Sequence, residues 1–392
     1  MYTDRRCGQN TGGSVMVEQV VRPKTTEPAI SKYLHEKGCR LGIPVSGNFE
    51  LTARCNFNCK MCYVHLQKNV QELIEKELTA DQWLALASDA RDQGMVFLLL
   101  TGGEPFLRKD FEQIYRELIK MGIVVSVNTN ASLYNDDLRS LFRAYPPMRI
   151  NVSLYGGSEE TYQRLCGNAS FEKVYQNLKR MKEDNLKLRL NVSLTPDNVS
   201  DIEKIHEISK ELNLQAKAAS YMYPPVRVTG ETGSNAGRFD EQTAGEIMAQ
   251  WNLLRDSKEV FLQRAASIPS FEMAECPYDP EVSKEEGVTC RAGRSTFWMT
   301  WDGRMLPCGT MDIEASYPLK DGFVEAWEEV RQRTAAIRMP GECGRCVLRP
   351  YCGVCAANCK AETGEFSKRP EYLCEMTKNR CKAILEMAKN YK

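Results

Sequence analysis

Three cysteines close together in the chain are the residues best suited to chemistry. They are spaced Cys55-x3-Cys59-x2-Cys62 and follow the strand-like run 48–53. Thiolates at this spacing can bind one face of a small inorganic cluster, whereas a cubane iron–sulfur cluster takes four ligands. A set of three leaves one iron open for a substrate or cofactor, as at a catalytic metal site. The spacing therefore predicts a catalytic [4Fe–4S] cluster in this loop.

A second motif, Gly102-Gly103-Glu104-Pro105, lies just beyond the apolar run 96–100. Glycines let a backbone approach a ligand closely, and a carboxylate such as that of Glu104 suits an ammonium group. If both motifs follow strands of one parallel sheet, both lie at carboxyl-terminal strand ends. Barrel and open-sheet enzymes place their active sites at such ends.

Six strands alternate with helices over residues 48–222, because apolar runs alternate with stretches that carry apolar residues at three- and four-residue spacing. Continuously apolar strands are typical of parallel sheets covered on both faces. The pattern predicts an α/β fold, and a partial (β/α)6 TIM-like barrel is favoured over a flat doubly wound sheet. The predicted strands are 49–53, 96–100, 124–128, 149–154, 187–194 and 215–221, and the helices are 80–93, 110–121, 136–145, 158–165, 171–183 and 199–212.

The remainder of the chain divides into three further segments. Residues 1–47 form a lead-in with a helix at 29–37, the barrel occupies 48–222, and 223–275 is a helical linker. Residues 276–392 form a cysteine-rich domain that contains ten of the sixteen cysteines. Its predicted elements are a hairpin over 296–306, turning at Asp302-Gly303, and a last helix at 375–389; the linker helices are 241–255 and 258–265.

Composition excludes several classes of function. Lys plus Arg and Asp plus Glu both total 52, so no net field attracts nucleic acid or an anionic membrane. No apolar run is long enough to span a bilayer, and residues 1–13 lack the apolar core of a signal peptide. The tight clustering of cysteines in a large chain favours metal ligation in a reducing cytoplasm over a disulfide scaffold.

The cysteine triplet, with Tyr63 beside its last member, and the Gly-Gly-Glu-Pro motif resemble the signature of the radical S-adenosylmethionine (radical SAM) superfamily. In that family SAM chelates the open iron, and an electron from the cluster cleaves it to methionine and a 5′-deoxyadenosyl radical that abstracts a substrate hydrogen. The resemblance implies that Gly102, Gly103 and Glu104 hold the methionine amino group, with Tyr63 next to the cofactor.

Two further SAM contacts are implied by position in the family. Asn130 and Ser153 follow or end the third and fourth strands, where relatives hold the ribose or carboxylate; the alternative is that they cap helices. Where many relatives read Arg-Gly, this chain has Cys166-Gly167, with Arg164 two residues earlier as the candidate basic contact.

The C-terminal cysteines resemble the SPASM extension, which typically binds two auxiliary [4Fe–4S] clusters. Family topology implies that Cys343, Cys346, Cys352 and Cys374 hold a distal cluster. It implies that Cys290, Cys308 and either Cys355 or Cys359 hold a nearer one, with Cys276 as a candidate fourth ligand. The alternative for these cysteines is a pair of zinc ribbons.

The resemblance implies an oxidoreductase that oxidises or cross-links residues of a ribosomally made peptide or a protein, giving a thioether or a carbon–carbon bond. Alternatives in the same class are formylglycine formation and peptide epimerisation. Cys166 would be the hydrogen donor for epimerisation, unless it is a buried apolar residue. A zinc-binding interaction module without activity is the alternative of another class. Expected partners are an electron donor such as flavodoxin or ferredoxin and, for a substrate with a leader, a separate leader-recognition protein.

Overall fold

The structure, a computed structural model, describes residues 27–63, 71–225, 232–235, 237–269, 287–311 and 313–391. The predicted ligand Cys276 lies outside these described residues. An eight-stranded sheet forms the centre of the fold. Its strands are β1 (Ser46–Glu50), β2 (Phe97–Thr101), β3 (Val124–Thr129), β4 (Arg149–Ser153), β5 (Leu188–Ser193), β6 (Gln215–Ala219), β7 (Thr296–Met299) and β8 (Met305–Leu306).

The order of the strands confirms the predicted α/β class. Strands β1 to β6 lie side by side in chain order, and each neighbouring pair is parallel. Strand β7 pairs with the other side of β1 in parallel, and β8 pairs with β7 antiparallel. Strands β6 and β8 are the two edges, so the sheet is an open partial barrel. The C-terminal hairpin thus extends the same sheet.

The helices follow the predicted alternation with the strands. The last one begins at Glu371 instead of residue 375 and therefore includes Cys374, and the first strand begins at Ser46 instead of residue 49. The helices are α1 (Ala29–Leu41), α2 (Gln71–Lys76), α3 (Ala80–Asp92), α4 (Phe111–Lys120), α5 (Asp136–Ala144), α6 (Glu159–Cys166), α7 (Phe171–Glu183), α8 (Ile202–Glu211), α9 (Glu241–Arg255), α10 (Lys258–Ala266), α11 (Pro318–Asp321), α12 (Phe323–Ala336), α13 (Gly341–Arg345), α14 (Ala356–Thr363) and α15 (Glu371–Lys389).

The two faces of the sheet differ in polarity. On the outer face, alternate residues such as Val125, Ile150 and Val152 are buried beneath the helices. Helix α4 is an example of a helix with one apolar side, since its buried residues from Phe111 to Leu118 recur at helical spacing. The inner face of β3 to β5 carries polar residues instead. The continuously apolar pattern of residues 96–100 therefore does not extend to β3, β4 and β5.

The C-terminal region is held by small apolar cores and by one close helix crossing. Helix α9 packs along α15 at Gly245, where an added Cβ would lie 2.6 Å from the backbone oxygen of Met376. The β7–β8 connection spans residues 300–304, so the predicted two-residue turn at Asp302-Gly303 is wrong in length. Gly303 does turn the chain, at φ +87°. Among the described residues, no helix has the length and apolar character needed to cross a membrane.

Candidate functional site

The loop that carries Cys55, Cys59 and Cys62 leaves the carboxyl-terminal end of β1 and lines a cavity with all three residues. Helix α6 fixes its far side, because the backbone N–H of Asn58 donates to the carbonyl of Cys166 at 2.8 Å. The N–H of Lys60 donates to the carbonyl of the preceding residue in α6 at 3.1 Å. The three predicted ligands therefore lie together at the carboxyl-terminal edge of the sheet.

The Gly102-Gly103 segment is joined to the cysteine loop by backbone pairing. The N–H of Gly103 donates to the carbonyl of Thr52 at 2.8 Å. An added Cβ at Gly103 would lie 2.2 Å from the carbonyl oxygen of Arg54, and one at Gly102 would lie 2.5 Å from that of Thr52. Both glycines also line the cavity. The close contact between the two loops therefore requires glycine at both positions, a reason that the sequence alone did not indicate.

Glu104 is fully buried and its carboxylate is held by its own chain. It accepts hydrogen bonds from the backbone N–H of Asn130 at 2.7 Å and from the hydroxyl of Thr129 at 2.8 Å. Burial raises the pKa of Glu104 to about 7, against the lowering effect of these hydrogen bonds. The residues that line the described cavity do not include Glu104, so in this structure it positions the Asn130 loop.

Asn130, Ser153 and Tyr63, the predicted cofactor contacts, all line the cavity. The amide of Asn130 donates to Asn56 at 2.9 Å and lies 3.8 Å from the sulfur of Cys55, so it also shapes the cysteine loop. These polar side chains converge from separate strands because the carboxyl ends of parallel strands meet at one edge of the sheet.

The sequence analysis missed other polar residues of the same cavity, among them Asn191, Ser193 and Asn128. A signal for two of them was present, since Asn-Val-Ser-Leu occurs both at 151–154 and at 191–194. The two segments lie on the neighbouring strands β4 and β5.

Arg164 and Cys166 lie outside the cavity wall. Arg164 donates from Nε to the carbonyl of Asp197 at 2.8 Å and is half-exposed. Cys166 is fully buried behind the cysteine loop, where its thiol is hydrogen-bonded to Cys59. Neither residue is among those that line the described cavity. The structure therefore brings neither of them to the predicted SAM contacts.

The donor set of the loop fits an iron–sulfur cluster chemically. Burial raises the pKa of the Cys55 thiol to about 12, and the hydrogen bond with Cys166 and burial raise that of Cys59 well above its ordinary value. Neutral thiols are thus favoured until a cationic centre binds, because metal-bound thiols lose their protons. Across the described residues, no three Cys, His, Asp or Glu side chains are arranged to hold a single metal ion.

A first group of C-terminal cysteines lies near Tyr223. Cys290, Cys308 and Cys355 lie near one another, and burial followed by the proximity of Cys308 and Cys290 raises the pKa of Cys355. Tyr223 joins this group to the cysteine loop. Burial and the nearby Cys355 and Cys308 raise its pKa, and its ring centroid lies 6.2 Å from that of Tyr63.

A second group contains Cys343, Cys352 and Cys374. Burial raises the pKa of Cys374 to about 12, and the adjacent Cys352 and Cys343 add to the rise. Cys346 lies close enough to Cys343 to affect its pKa. Cys359 is fully buried on α14, where burial followed by the nearby Cys343, Cys355 and Cys352 raises its pKa to about 12, and neither Cys290 nor Cys308 is among these neighbours. Of the two open alternatives, Cys355 is therefore the one beside Cys290 and Cys308.

Comparisons with known proteins bear on the family and the fold. Residues 49–208 match the family described as the radical SAM superfamily. An AdoMet-dependent heme synthase of Methanosarcina barkeri is 24% identical over 83% of this chain and 94% of its own length. A probable GTP 3′,8-cyclase of Saccharolobus islandicus is 32% identical over 45% of this chain and 56% of its own length.

Two solved structures show the same fold over most of the chain. Streptococcus suis SuiB has a TM-score of 0.61 at 17% identity, and the likeness covers 88% of this chain and 81% of SuiB. The anSMEcpe structure with bound AdoMet has a TM-score of 0.64 at 16% identity, covering 89% of this chain and 100% of that one. At these identities the likeness concerns the fold.

Proposed function

We propose that the chain is an enzyme that uses a [4Fe–4S] cluster and SAM to modify a peptide or protein oxidatively, because residues 49–208 match the radical SAM superfamily. The observation that carries the site assignment is the cavity at the mouth of the sheet, which Cys55, Cys59 and Cys62 line together with Gly102 and Gly103. A cluster bound there would supply the electron for reductive cleavage of SAM, and SAM would supply the radical chemistry that removes a hydrogen atom from the substrate.

The roles of the chain's own residues follow from the contacts around the cavity. The thiolates of Cys55, Cys59 and Cys62 would hold the cluster, and the Gly102-Gly103 backbone and Asn130 would orient SAM. Glu104 acts through Asn130, because its carboxylate accepts the backbone N–H of that residue. Ser153 provides a further hydroxyl on the cavity wall. Arg164 needs a side-chain rearrangement to reach SAM, since it contacts Asp197.

The C-terminal cysteines fit a SPASM extension with two auxiliary clusters. Cys290, Cys308 and Cys355 would hold the nearer one, with Cys276 as the candidate fourth ligand. The distal one would take Cys343, Cys346, Cys352 and Cys374. Such clusters suit a net oxidation, because the substrate radical must lose an electron and the nearer group lies beside Tyr223, next to the SAM loop. The division at residues 48, 223 and 276 is part of this proposal.

A peptide substrate is supported by the two structural neighbours. SuiB has been solved bound to its precursor peptide SuiA, and anSMEcpe has been solved with AdoMet and the Cp18Cys peptide. The product would be a thioether, a carbon–carbon cross-link or formylglycine. Epimerisation with Cys166 as hydrogen donor requires this thiol to reach the substrate from behind the cysteine loop. Electrons would come from a flavodoxin or ferredoxin, and a separate protein would recognise a leader.

Tetrapyrrole processing is the second candidate function. The curated relatives named AdoMet-dependent heme synthase support it, because the likeness to one of them extends over 83% of this chain and 94% of that protein. It needs the same cysteine loop and the same SAM cavity. The two candidates therefore differ in the molecule that occupies the inner face of the sheet.

Anaerobic co-expression with small peptides encoded beside the gene tests the proposal. We expect one peptide to lose the mass of a hydrogen molecule in the presence of the enzyme, as measured by mass spectrometry. The same peptide should keep its mass with the triple variant Cys55→Ala/Cys59→Ala/Cys62→Ala. Conversion of an added porphyrin with every peptide unchanged would contradict the peptide proposal and support the second candidate.

A further inference from the structure

The inner face of β4 and β5 carries polar residues from the amino-terminal to the carboxyl-terminal ends of the two strands. Ser153 and Asn191 are partners in register and line the cavity. Two residues earlier on each strand, Asn151 is the partner of Arg189. Side chains two residues apart on a strand share a face, so Arg189 lies beneath Asn191 and Arg149 beneath Asn151. Two arginines on adjacent strands therefore share the inner face, on the side away from the cysteine loop.

Among the described residues, neither of these guanidinium groups has a carboxylate counter-charge. The Nε atoms of Arg149 and Arg189 are buried and have no hydrogen-bond partner. Burial and the neighbouring Arg149 lower the pKa of Arg189. In the described part of the chain, no hydrogen bond or ion pair is formed by either side chain. A buried polar group without a partner is unfavourable and calls for an explanation.

Two other buried or half-buried arginines of the protein are paired with carboxylates. Arg108 lies 2.7 Å from Asp110, and Arg238 lies 2.7 Å from Glu362. A third arginine, Arg380, is buried and has one Nε without a partner, but its Nη2 donates to Asn252 at 2.9 Å. Arg149 and Arg189 differ from these three because they lie on neighbouring strands of one face and form no hydrogen bond among the described residues.

We infer that Arg149 and Arg189 together bind a carboxylate of the substrate and hold it on the inner face of the sheet below the SAM cavity. This inference rests on the proposed function. Each guanidinium presents parallel N–H donors that match the two oxygens of a carboxylate. Arg189 lies two residues from Asn191 on β5, about 6.6 Å along the strand, so the bound group is one side chain away from the cavity.

A peptide can supply this carboxylate from an acidic side chain or from its C-terminus. The test uses three probes with the reconstituted, SAM-loaded full chain: N-acetyl-glutamate N-methylamide, N-acetyl-alanine and neutral N-acetyl-glutamine N-methylamide. Binding is measured by calorimetry and by NMR of the arginine Nε–Hε groups. We expect a carboxylate probe to bind at least tenfold more tightly than the neutral one and to shift the resonances of both arginines. The preferred carboxylate probe identifies the source.

Single variants locate the site. Arg149→Gln and Arg189→Gln should each weaken binding of the carboxylate probe at least tenfold, and Arg189→Lys should retain part of it. The matched control is Arg139→Gln, because Arg139 is already paired with Asp184 at 2.7 Å and lies on α5. Equal affinity for charged and neutral probes, or unchanged affinity in both variants, would overturn the inference. So would loss of SAM binding with probe affinity unchanged, which would assign the arginines to SAM.

Thermal unfolding gives a readout that does not depend on the probes. A pair of unpaired like charges is destabilising, so Arg149→Gln should melt at the same temperature as the wild type or higher. A lower melting temperature in both Arg149→Gln and Arg189→Gln would indicate a structural role and contradict the inference. Formation of 5′-deoxyadenosine is measured in parallel. Its absence in the wild type would defeat the proposed function, whereas its presence without carboxylate binding would defeat only the carboxylate site.

Discussion

The SAM-loop cysteines and the C-terminal cysteines are brought together in different ways. Cys55, Cys59 and Cys62 lie within one short loop, which is clamped by backbone hydrogen bonds to α6 and to the Gly102-Gly103 segment. The C-terminal cysteines are spread from residue 290 to residue 374, on short helices and the connections between them. Their thiols lie near one another only because small apolar clusters pack these helices and connections together.

This difference determines what a substitution does in each region. A change in the first loop acts directly on the cavity, since all three of its cysteines line it. A change in the C-terminal region acts on one group of thiols and leaves the cavity wall in place. We therefore expect SAM cleavage to depend on the first region and the fate of the substrate radical to depend on the second.

The largest effect is expected from Cys55→Ala/Cys59→Ala/Cys62→Ala. Without three thiolates the SAM-binding cluster has no site, so formation of 5′-deoxyadenosine should fall below detection. Iron should fall by about four atoms per chain, because the C-terminal cysteines keep theirs. The readouts are anaerobic iron analysis and chromatography of the nucleoside. Unchanged iron content would show that this loop is not a cluster site.

A smaller loss of SAM cleavage is expected from Gly103→Ala. The new Cβ would lie 2.2 Å from the carbonyl oxygen of Arg54, so the two loops must separate. A displacement on the order of 1 Å can lower a rate by about a hundredfold. Gly287→Ala is the matched control, since the nearest atom to its Cβ is 3.8 Å away. Rates that match in the two variants would contradict the role of Gly103 in fixing the loop.

Cys355→Ala and Cys359→Ala form a matched pair that separates ligand from core. We expect Cys355→Ala to perturb the electron paramagnetic resonance signal of the nearer auxiliary cluster, with SAM cleavage retained. Cys359→Ala should keep that signal and lower stability by about 1 kcal/mol, because a buried small side chain is truncated. The opposite pattern would make Cys359 the ligand.

The last prediction concerns stability alone and the residue His35, which joins α1 to the segment before β7. Its Nδ1 lies 3.2 Å from the hydroxyl of Ser295. Burial, followed by the charge of Arg291 and against that of Glu27, lowers the pKa of His35 to about 4. Unfolded His titrates near pH 6.5, so the unfolded state binds more protons between these values.

Stability should therefore fall as the pH drops from about 6.5 towards 4, by about 1 to 2 kcal/mol between pH 7 and pH 5 from this residue. Urea unfolding at the two pH values measures the change, and the part contributed by His35 should disappear in His35→Gln. A variant that keeps the wild-type pH dependence would assign the effect to other groups.

The same contrast explains what could be predicted from the sequence. The loop motif and the six-strand alternation are local patterns, so the predicted fold and the convergence of Cys55, Cys59 and Cys62 were accessible. Asn191 and Ser193 depend on strand register, which no local pattern specifies. Arg164 was placed by family position, yet its contact with Asp197 depends on how α6 packs.

The proximity of Arg149 and Arg189 on the neighbouring strands β4 and β5 also depends on strand register. Each arginine alone resembles a surface residue at the start of a strand. Only the register and the absence of a described counter-charge set the two apart. Chemistry carried by side chains on one loop can thus be recognised early, whereas chemistry shared between strands needs the structure.

The most direct test of the central claim combines metal analysis with SAM cleavage in the wild-type protein purified without oxygen. We predict about twelve iron atoms per chain, the content of three cubane clusters, and conversion of SAM to 5′-deoxyadenosine and methionine under a strong reductant. A protein that binds zinc without iron and leaves SAM intact under these conditions would contradict the account.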